Sequence, residues 1–241
     1  MHGLEKGKPV VDFMPYWGFG AQLRLEGKTG KKPDKQGLSD MRGEAVLYLW
    51  DSIDVKDAAG YHEKNFKGIS YAFVHVDLSV QLEEPWQVTF SHEALELVGD
   101  PQTNLVVQGP HPDPKENGRI VFHWFEMCDA VQSENYQIDG VPVSNFILPL
   151  YFTEGEQSGG RNDFLGTLNK GKTLRSFGIN PGGYVGFYDP KAGDDDTVML
   201  EGDAKAAKRM NAKGAARTGR GNRRRDRTRQ MAPVPAVKRK S

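Results

Sequence analysis

The sequence predicts an α+β fold in which short strands precede and follow one well-marked helix. Segments of apolar, β-branched and aromatic residues occur on both sides of the helix, and Pro, Gly and Asn separate them. No repeat of fixed period is present, and this order of elements is typical of a layered α+β architecture. At 241 residues, the chain is long enough for one sizeable domain and an appendage.

The elements follow from local composition. The helix is predicted over Trp86 to Val98, because Gly99 and Asp100-Pro101 provide a stop signal directly after it. Residues 1–43 predict an N-terminal extension with loops, since the stretch GKTGKKPDKQG is rich in Gly and Lys. The predicted strands are Ala45 to Trp50, Tyr71 to Val80, Leu105 to Val107, Arg119 to Phe125, Val141 to Phe146 and Gly183 to Tyr188.

The net charge of zero conceals a strong segregation of charge. Residues 203–241 contain fourteen Lys and Arg against two Asp, a net charge of +12, whereas residues 1–202 contain eighteen basic and thirty acidic residues, a net charge of −12. The basic segment has no aromatic residue and no Leu, Ile or Phe, so it cannot bury enough apolar surface to offset the entropy of ordering. We therefore predict an acidic domain over residues 1–202 and a disordered Arg/Lys-rich tail over residues 203–241.

The tail allows two interpretations. In the first, its arginines contact the phosphates of a nucleic acid or bind another polyanion; the candidate residues are Arg223, Arg224, Arg225, Arg227 and Arg229. In the second, the tail is a solubilising segment that folds back on the acidic domain. Aromatic residues for base stacking are lacking, which argues against sequence-specific recognition.

Several classes of protein are excluded by composition. No apolar run approaches the roughly 18 residues that span a bilayer, and the first residues lack the apolar core of a secretory signal. Cys128 is the only cysteine, so an internal disulfide is excluded. We expect a cytoplasmic protein without membrane contact, and a nuclear location applies only if the host is eukaryotic.

Residues Gly166 to Thr173 match the phosphate-binding pattern G-x-x-x-x-G-K-[ST]. This pattern requires a buried strand before it and a helix immediately after it. Polar loop residues precede it here, and Asn180-Pro181 ends any helix soon after it. Nucleotide binding through Lys172 and Thr173 is therefore the weakest of the functional hypotheses.

A second motif, His92-Glu93-Ala94-Leu95-Glu96, is a variant of the zinc motif H-E-x-x-H with glutamate at the last position. On a helix, His92 and Glu96 lie on one face at a spacing that allows both to bind one metal ion. Glu93 lies beside them, where it can act as the general base of a metallopeptidase. The alternative is an exposed amphipathic helix whose His and Glu are solvated.

Catalytic zinc usually has three protein ligands, and a third is available downstream. The segment from Phe122 to Asp129 contains two carboxylates, an imidazole and a thiol. If this segment is a strand, Glu126 and Cys128 face away from His123. For Cys128, a buried structural role is the commonest interpretation.

The segments GYHEKNFKGISYAFVHVD, WQVTFSHEALELVGDP and WFEMCDAVQSENYQIDGVPVSNFILPLYF occur in this order. With a late GGY, they resemble a largely uncharacterised bacterial family with a zincin-like H-E-x-x-E metallopeptidase signature, over about residues 44–190. The resemblance implies a zincin-like mixed sheet with a central metal-binding helix. It implies His92 and Glu96 as metal ligands, Glu126 or Asp129 as a further ligand, and Glu93 as the base.

The resemblance also implies that Tyr71 to Val80 is an edge strand that pairs with extended substrate. His62 is then either a hydrogen-bond donor to the transition state or a further ligand, and the alternative is a loop histidine held by local hydrogen bonds. Glu96 replaces the second histidine of well-studied zincins. This makes harder ions such as calcium or manganese alternatives to zinc, which is expected first.

We expect a metal-dependent hydrolase that binds one divalent ion and acts on a peptide or protein substrate. Glu93 removes a proton from the attacking water. The alternative is a non-enzymatic binding or assembly protein, in which the metal is structural or absent and the basic tail binds nucleic acid or another polyanion.

Overall fold

A computed structural model of the protein describes residues 9–12, 22–28, 45–50, 59–64, 70–153, 161–166 and 173–207. These residues form a mixed α+β structure, as the sequence predicts, with more sheet than helix. Within the described residues, no helix is long and apolar enough to cross a membrane. The tail arginines 223–225, 227 and 229 lie outside the described residues, so the interpretations of the tail remain predictions.

The first sheet has five strands in the order β1-β2-β3-β5-β4. These strands are β1 (Pro9–Asp12), β2 (Gln22–Lys28), β3 (Ala45–Trp50), β4 (Gly60–Lys64) and β5 (Ser70–His75). Strands β2, β3 and β5 run parallel, whereas β1 and β4 pair antiparallel with their neighbours. The range 1–43, interpreted from its Gly and Lys content as an extension with loops, thus contributes two hydrogen-bonded strands.

Strand β5 corrects the prediction of a strand over Tyr71 to Val80. The strand ends at His75, and the chain continues as helix α1 (Val76–Gln81). The adjacent residues Leu78 and Ser79 are both buried, which is helical spacing rather than the alternation of a strand. Strand β5 also lies between β3 and β4, so β4 rather than β5 forms this edge of the first sheet among the described strands.

Helix α2 (Trp86–Gly99) confirms the predicted helix. Ala94 and Leu97 pack with Leu47, Ala72 and Val74 of the first sheet in one buried apolar cluster. The same helix buries His92, Glu93 and Glu96. Two adjacent turns of a buried helix face therefore carry titratable groups, which excludes the alternative of a solvated surface helix.

The second sheet is antiparallel, with the order β11-β10-β7-β6. Its strands are β6 (Val106–Pro110), β7 (Ile120–Trp124), β10 (Tyr184–Asp189) and β11 (Asp194–Met199), and a hairpin consists of β8 (Asn135–Ile138) and β9 (Val141–Ser144). The four strands predicted downstream of the helix are present with shifted ends. Strands β8 and β11 were not predicted, because Asn135 to Ile138 and the aspartates of β11 lack the apolar pattern of a strand.

A short helix, Asp129–Val131, follows the loop after β7. Ala130 and Val131 pack with Ile147, Tyr151 and Val185 in a second buried cluster. This packing fixes the loop that follows β7 beside helix α2, where Cys128 N–H donates to Glu96 Oε1 at 3.2 Å.

The acidic domain extends slightly beyond the predicted boundary at residue 202. Residues 204–207 form a helical turn, and Asp203 Oδ1 accepts hydrogen bonds from the N–H groups of Lys205 and Ala206. Asp203 Oδ2 also accepts from Gly182 N–H at 2.5 Å, and Ala206 is fully buried. The first residues assigned to the tail therefore belong to the folded part.

Candidate metal centre

Six titratable side chains from three separated segments meet in one buried cluster, which we call the acid–histidine cluster. Strand β4 contributes His62, helix α2 contributes His92, Glu93 and Glu96, and the segment after β7, which ends in the short helix Asp129–Val131, contributes Glu126 and Asp129. Glu96 is 1% exposed and Glu126, the most open of the six side chains, is 12% exposed. The structure thus brings together every residue predicted as a base or metal ligand.

His62 lies in the middle of one half of the cluster. Its Nδ1 atom is 3.4 Å from Glu96 Oε2 and 3.6 Å from Glu93 Oε2. Its Nε2 atom is 3.8 Å from Glu126 Oε2. The ring therefore faces three carboxylates, which excludes the alternative of a loop histidine.

His92 lies in the other half. Its Nε2 atom is 3.1 Å from Glu96 Oε1, one helical turn away, and 3.3 Å from Asp129 Oδ1. The two oxygens of Glu96 therefore face different imidazoles. Glu96 is the carboxylate that both halves of the cluster share.

Burial and charge act in opposite directions on the pKa values of the cluster. Burial alone would lower the pKa of His62, but Glu126, Glu93 and Glu96 together raise it to about 10. Burial would also lower the pKa of His92, but Glu96 and Asp129 raise it to about 10. Burial would raise the pKa of Glu96, yet the two imidazoles hold it well below its usual range. In the absence of a metal ion, both imidazoles are therefore protonated at neutral pH.

Carboxylates outnumber imidazoles in the cluster by four to two. A buried set of donors in which carboxylate oxygens predominate is suited to bind a divalent cation.

Unsatisfied atoms point to the same conclusion. His62 Nδ1 faces Glu93 Oε2 and Glu96 Oε2 at 3.6 and 3.4 Å, and these three buried atoms make no well-formed hydrogen bond among the described residues. Buried polar atoms are nearly always hydrogen-bonded, and a place for a bound ion is a known reason for an exception. Nitrogen and carboxylate oxygen are also the ligands that divalent transition metals and zinc accept.

Cys128 is fully buried, and its thiol donates to the backbone oxygen of His92 at 3.8 Å. Burial, followed by the charge of Glu96, raises the pKa of this thiol well above its usual range. The metal-free cluster therefore contains a protonated, structural cysteine. Cys128, His92 and Glu96 nevertheless place ligand atoms within 4.8 Å of one another.

A cleft reaches the cluster on the side of helix α2. The space within it that the centre of a water-sized molecule can occupy is about 30 Å³, and Gly60, Val88, His92, Glu93 and Gln132 are among the residues that line it. Glu93 Oε1 would lie 2.5 Å from a Cβ atom at residue 60. Only glycine at that position allows β4 to approach Glu93 so closely.

Sequence reasoning did not identify Gly60 or Gln132. Gly60 lies two residues before His62, and this is the one feature of the sequence that could have indicated it. A glycine at this spacing matches no known metal-binding or catalytic motif. His123, which belongs to the same segment as Glu126, lies outside the cluster. Its Nε2 atom contacts the backbone oxygen of Pro110 at 2.8 Å, and its ring packs on Phe177.

The phosphate-binding pattern is not supported by its surroundings. Residues 167–172 lie outside the described residues, and residues 173–183 form turns without a helix. A phosphate-binding loop requires a helix at this position. Nucleotide binding through Lys172 and Thr173 therefore lacks its main structural element.

Comparison with known proteins adds no identification. No family model matches the chain, and neither a curated protein nor a solved structure is similar to it. The functional argument therefore depends on the geometry and chemistry of the acid–histidine cluster.

Proposed function

We propose that the protein is a metal-dependent hydrolase, with a zincin-like arrangement of sheet and helix, that cleaves peptide bonds at the acid–histidine cluster. The observation that carries this proposal is the convergence of four carboxylates and two imidazoles in a buried cluster beside an open cleft. Such a cluster of desolvated titratable groups in a cleft is typical of a catalytic site.

His92 and Glu96 are the proposed ligands from helix α2, and Glu126 or Asp129 completes the set. A divalent ion held by these residues supplies Lewis acidity toward a carbonyl oxygen and makes water more acidic. Zinc is the first candidate ion, and the high share of carboxylates makes manganese and calcium the alternatives.

Glu93 is the proposed general base. It lines the cleft, and it lies on the same buried face of α2 as the proposed ligands. Its Oε2 atom is buried and makes no hydrogen bond among the described residues, so it is available to accept a proton from a water molecule. His62, whose ring contacts Glu93 and Glu96, serves either as a hydrogen-bond donor to the developing oxyanion or as a further metal ligand.

A peptide substrate is favoured because strand β4 ends the first sheet and carries His62. An extended chain can pair with an edge strand through backbone hydrogen bonds, with its side chains in adjacent pockets. Pairing along β4 would bring the scissile bond to His62 and Glu93. The residues of this edge strand replace Tyr71 to Val80 in the substrate-binding role.

The test combines metal analysis with peptidase assays. Purified protein is expected to contain divalent metal by plasma mass spectrometry, and the double substitution His92→Ala/Glu96→Ala is expected to lose it. Glu93→Gln is expected to retain the metal and to lose cleavage of a casein-derived peptide library by a factor of about 10² or more, typical of a lost general base.

Two outcomes would contradict the proposal. If Glu93→Gln cleaved peptides as fast as the wild-type protein, Glu93 would not be the general base. Absence of metal from the wild-type protein, even after incubation with zinc, manganese and calcium, would favour the non-enzymatic alternative, in which the tail of net charge +12 binds a polyanion.

A further inference from the structure

We propose that the acid–histidine cluster holds two divalent ions bridged by the carboxylate of Glu96, rather than the single ion that the H-E-x-x-E motif suggests. This inference rests on the proposed metal-dependent function and specifies its centre. Glu96 occupies the position of the second histidine in H-E-x-x-H, and a carboxylate can bridge two ions whereas a metal-bound imidazole nitrogen binds one.

The ligand atoms divide into two groups. His62, Glu96 and Glu126 place ligand atoms within 4.8 Å of one another, and so do His92, Glu96 and Cys128. Glu96 is common to both groups, whereas the two histidines belong to different groups. Within the described residues, the geometry therefore assigns one imidazole to each proposed ion.

The contacts of Glu96 show how it would bridge. Its Oε1 atom is 3.1 Å from His92 Nε2, and its Oε2 atom is 3.4 Å from His62 Nδ1. One oxygen is thus directed to each half of the cluster. Paired metal ions in hydrolytic centres lie roughly 3.5–4 Å apart, a separation that a bridging carboxylate spans.

Each half has enough donors for its own ion. In the first half, Glu126 Oε2 lies 3.8 Å from His62 Nε2, and the buried atoms His62 Nδ1 and Glu96 Oε2 have no hydrogen-bond partner among the described residues. In the second half, Asp129 Oδ1 lies 3.3 Å from His92 Nε2. Glu93 remains at the cleft as the base.

The experiment is a titration of metal-stripped protein with Mn²⁺, which is followed by equilibrium dialysis and by electron paramagnetic resonance. We expect about two equivalents bound and, at full loading, the spectrum of an exchange-coupled pair. One equivalent with the spectrum of isolated Mn²⁺ would overturn the second ion but leave the proposed function standing. No binding would overturn both, and two equivalents without coupling would overturn the bridge.

A single substitution distinguishes a centre with two ions from a centre with one ion. His62→Gln removes the imidazole of one half only, and it is expected to reduce binding from about two equivalents to about one and to abolish the coupling. Unchanged stoichiometry and an unchanged spectrum would show that His62 binds no ion. The matched control is His111→Gln, because the ring of His111 packs on Phe187 outside the cluster; it is expected to bind as the wild type does.

Discussion

Metal binding at the acid–histidine cluster should release protons, and the number of protons follows from the structure. The carboxylates around His62 and His92 raise the pKa of each imidazole to about 10 in the metal-free protein. Each ring is therefore protonated at pH 7, whereas a ring that binds metal is deprotonated. Every imidazole that becomes a ligand is expected to release about one proton.

The magnitude is large enough to control the measured affinity. At pH 7, about three units below the pKa, removing one proton weakens apparent binding by about 10³-fold, or about 4 kcal/mol per imidazole. The sign follows from the raised pKa: affinity increases with pH by about tenfold per unit for each proton released, and it levels off above about pH 10. Glu96 does not add to this dependence, because the imidazoles hold its pKa well below its usual range.

Isothermal titration calorimetry in buffers of different ionisation enthalpy counts these protons directly. The release is expected to fall by about one proton in His92→Gln and to be unchanged in His111→Gln. Binding of a metal to the wild-type cluster without any proton release would refute the reasoning, because it would mean that the carboxylates do not keep the imidazoles protonated.

Two further predictions concern the surroundings of the cluster. Gly60→Ala places a methyl group 2.5 Å from Glu93 Oε1. This substitution should lower peptidase activity by more than tenfold while the metal content stays constant. In the same protein, Glu93→Asp should relieve the close contact, because its side chain is shorter. If Gly60→Ala is fully active, Glu93 is not held by this contact. Truncation after residue 202 removes the buried Ala206 and the hydrogen bonds of Asp203, so it should destabilise the domain by about 1–2 kcal/mol in urea denaturation, whereas truncation after residue 207 should not. Equal stability of the two truncated proteins would place the domain boundary back at residue 202.

The central helix and the residues of the candidate site were predictable from local patterns. The segment Trp86 to Val98 has a clear stop signal, and His92, Glu93 and Glu96 have a spacing that gives one helix face. Glu126 and Asp129 were predictable as candidates because acidic residues are concentrated in one short segment. Their position next to His62 and His92 depends on the buried packing of Ala130 and Val131, which no local pattern reports.

Other features depended on tertiary contacts. Tyr71 to Val80 alternates like a strand, but helix α1 forms from Val76 because this turn buries Leu78 and Ser79 together. Strand β11 contains three consecutive aspartates and forms through its ladder with β10, which overrides low β-propensity. In both cases, strand pairing and burial determined the secondary structure, and the local composition did not.

The composition of the acid–histidine cluster is itself an argument for function. A buried ionic cluster is weak evidence for stability, since well-packed apolar residues of similar volume often stabilise a fold as well or better. Here six titratable side chains are taken from three segments, and Glu96 is buried more completely than most of the apolar core. Four of the six are carboxylates, and carboxylate oxygens together with imidazole nitrogens are ligands of divalent ions. We therefore interpret the cluster as a site for binding cations, in which bound ions would offset the cost of burial.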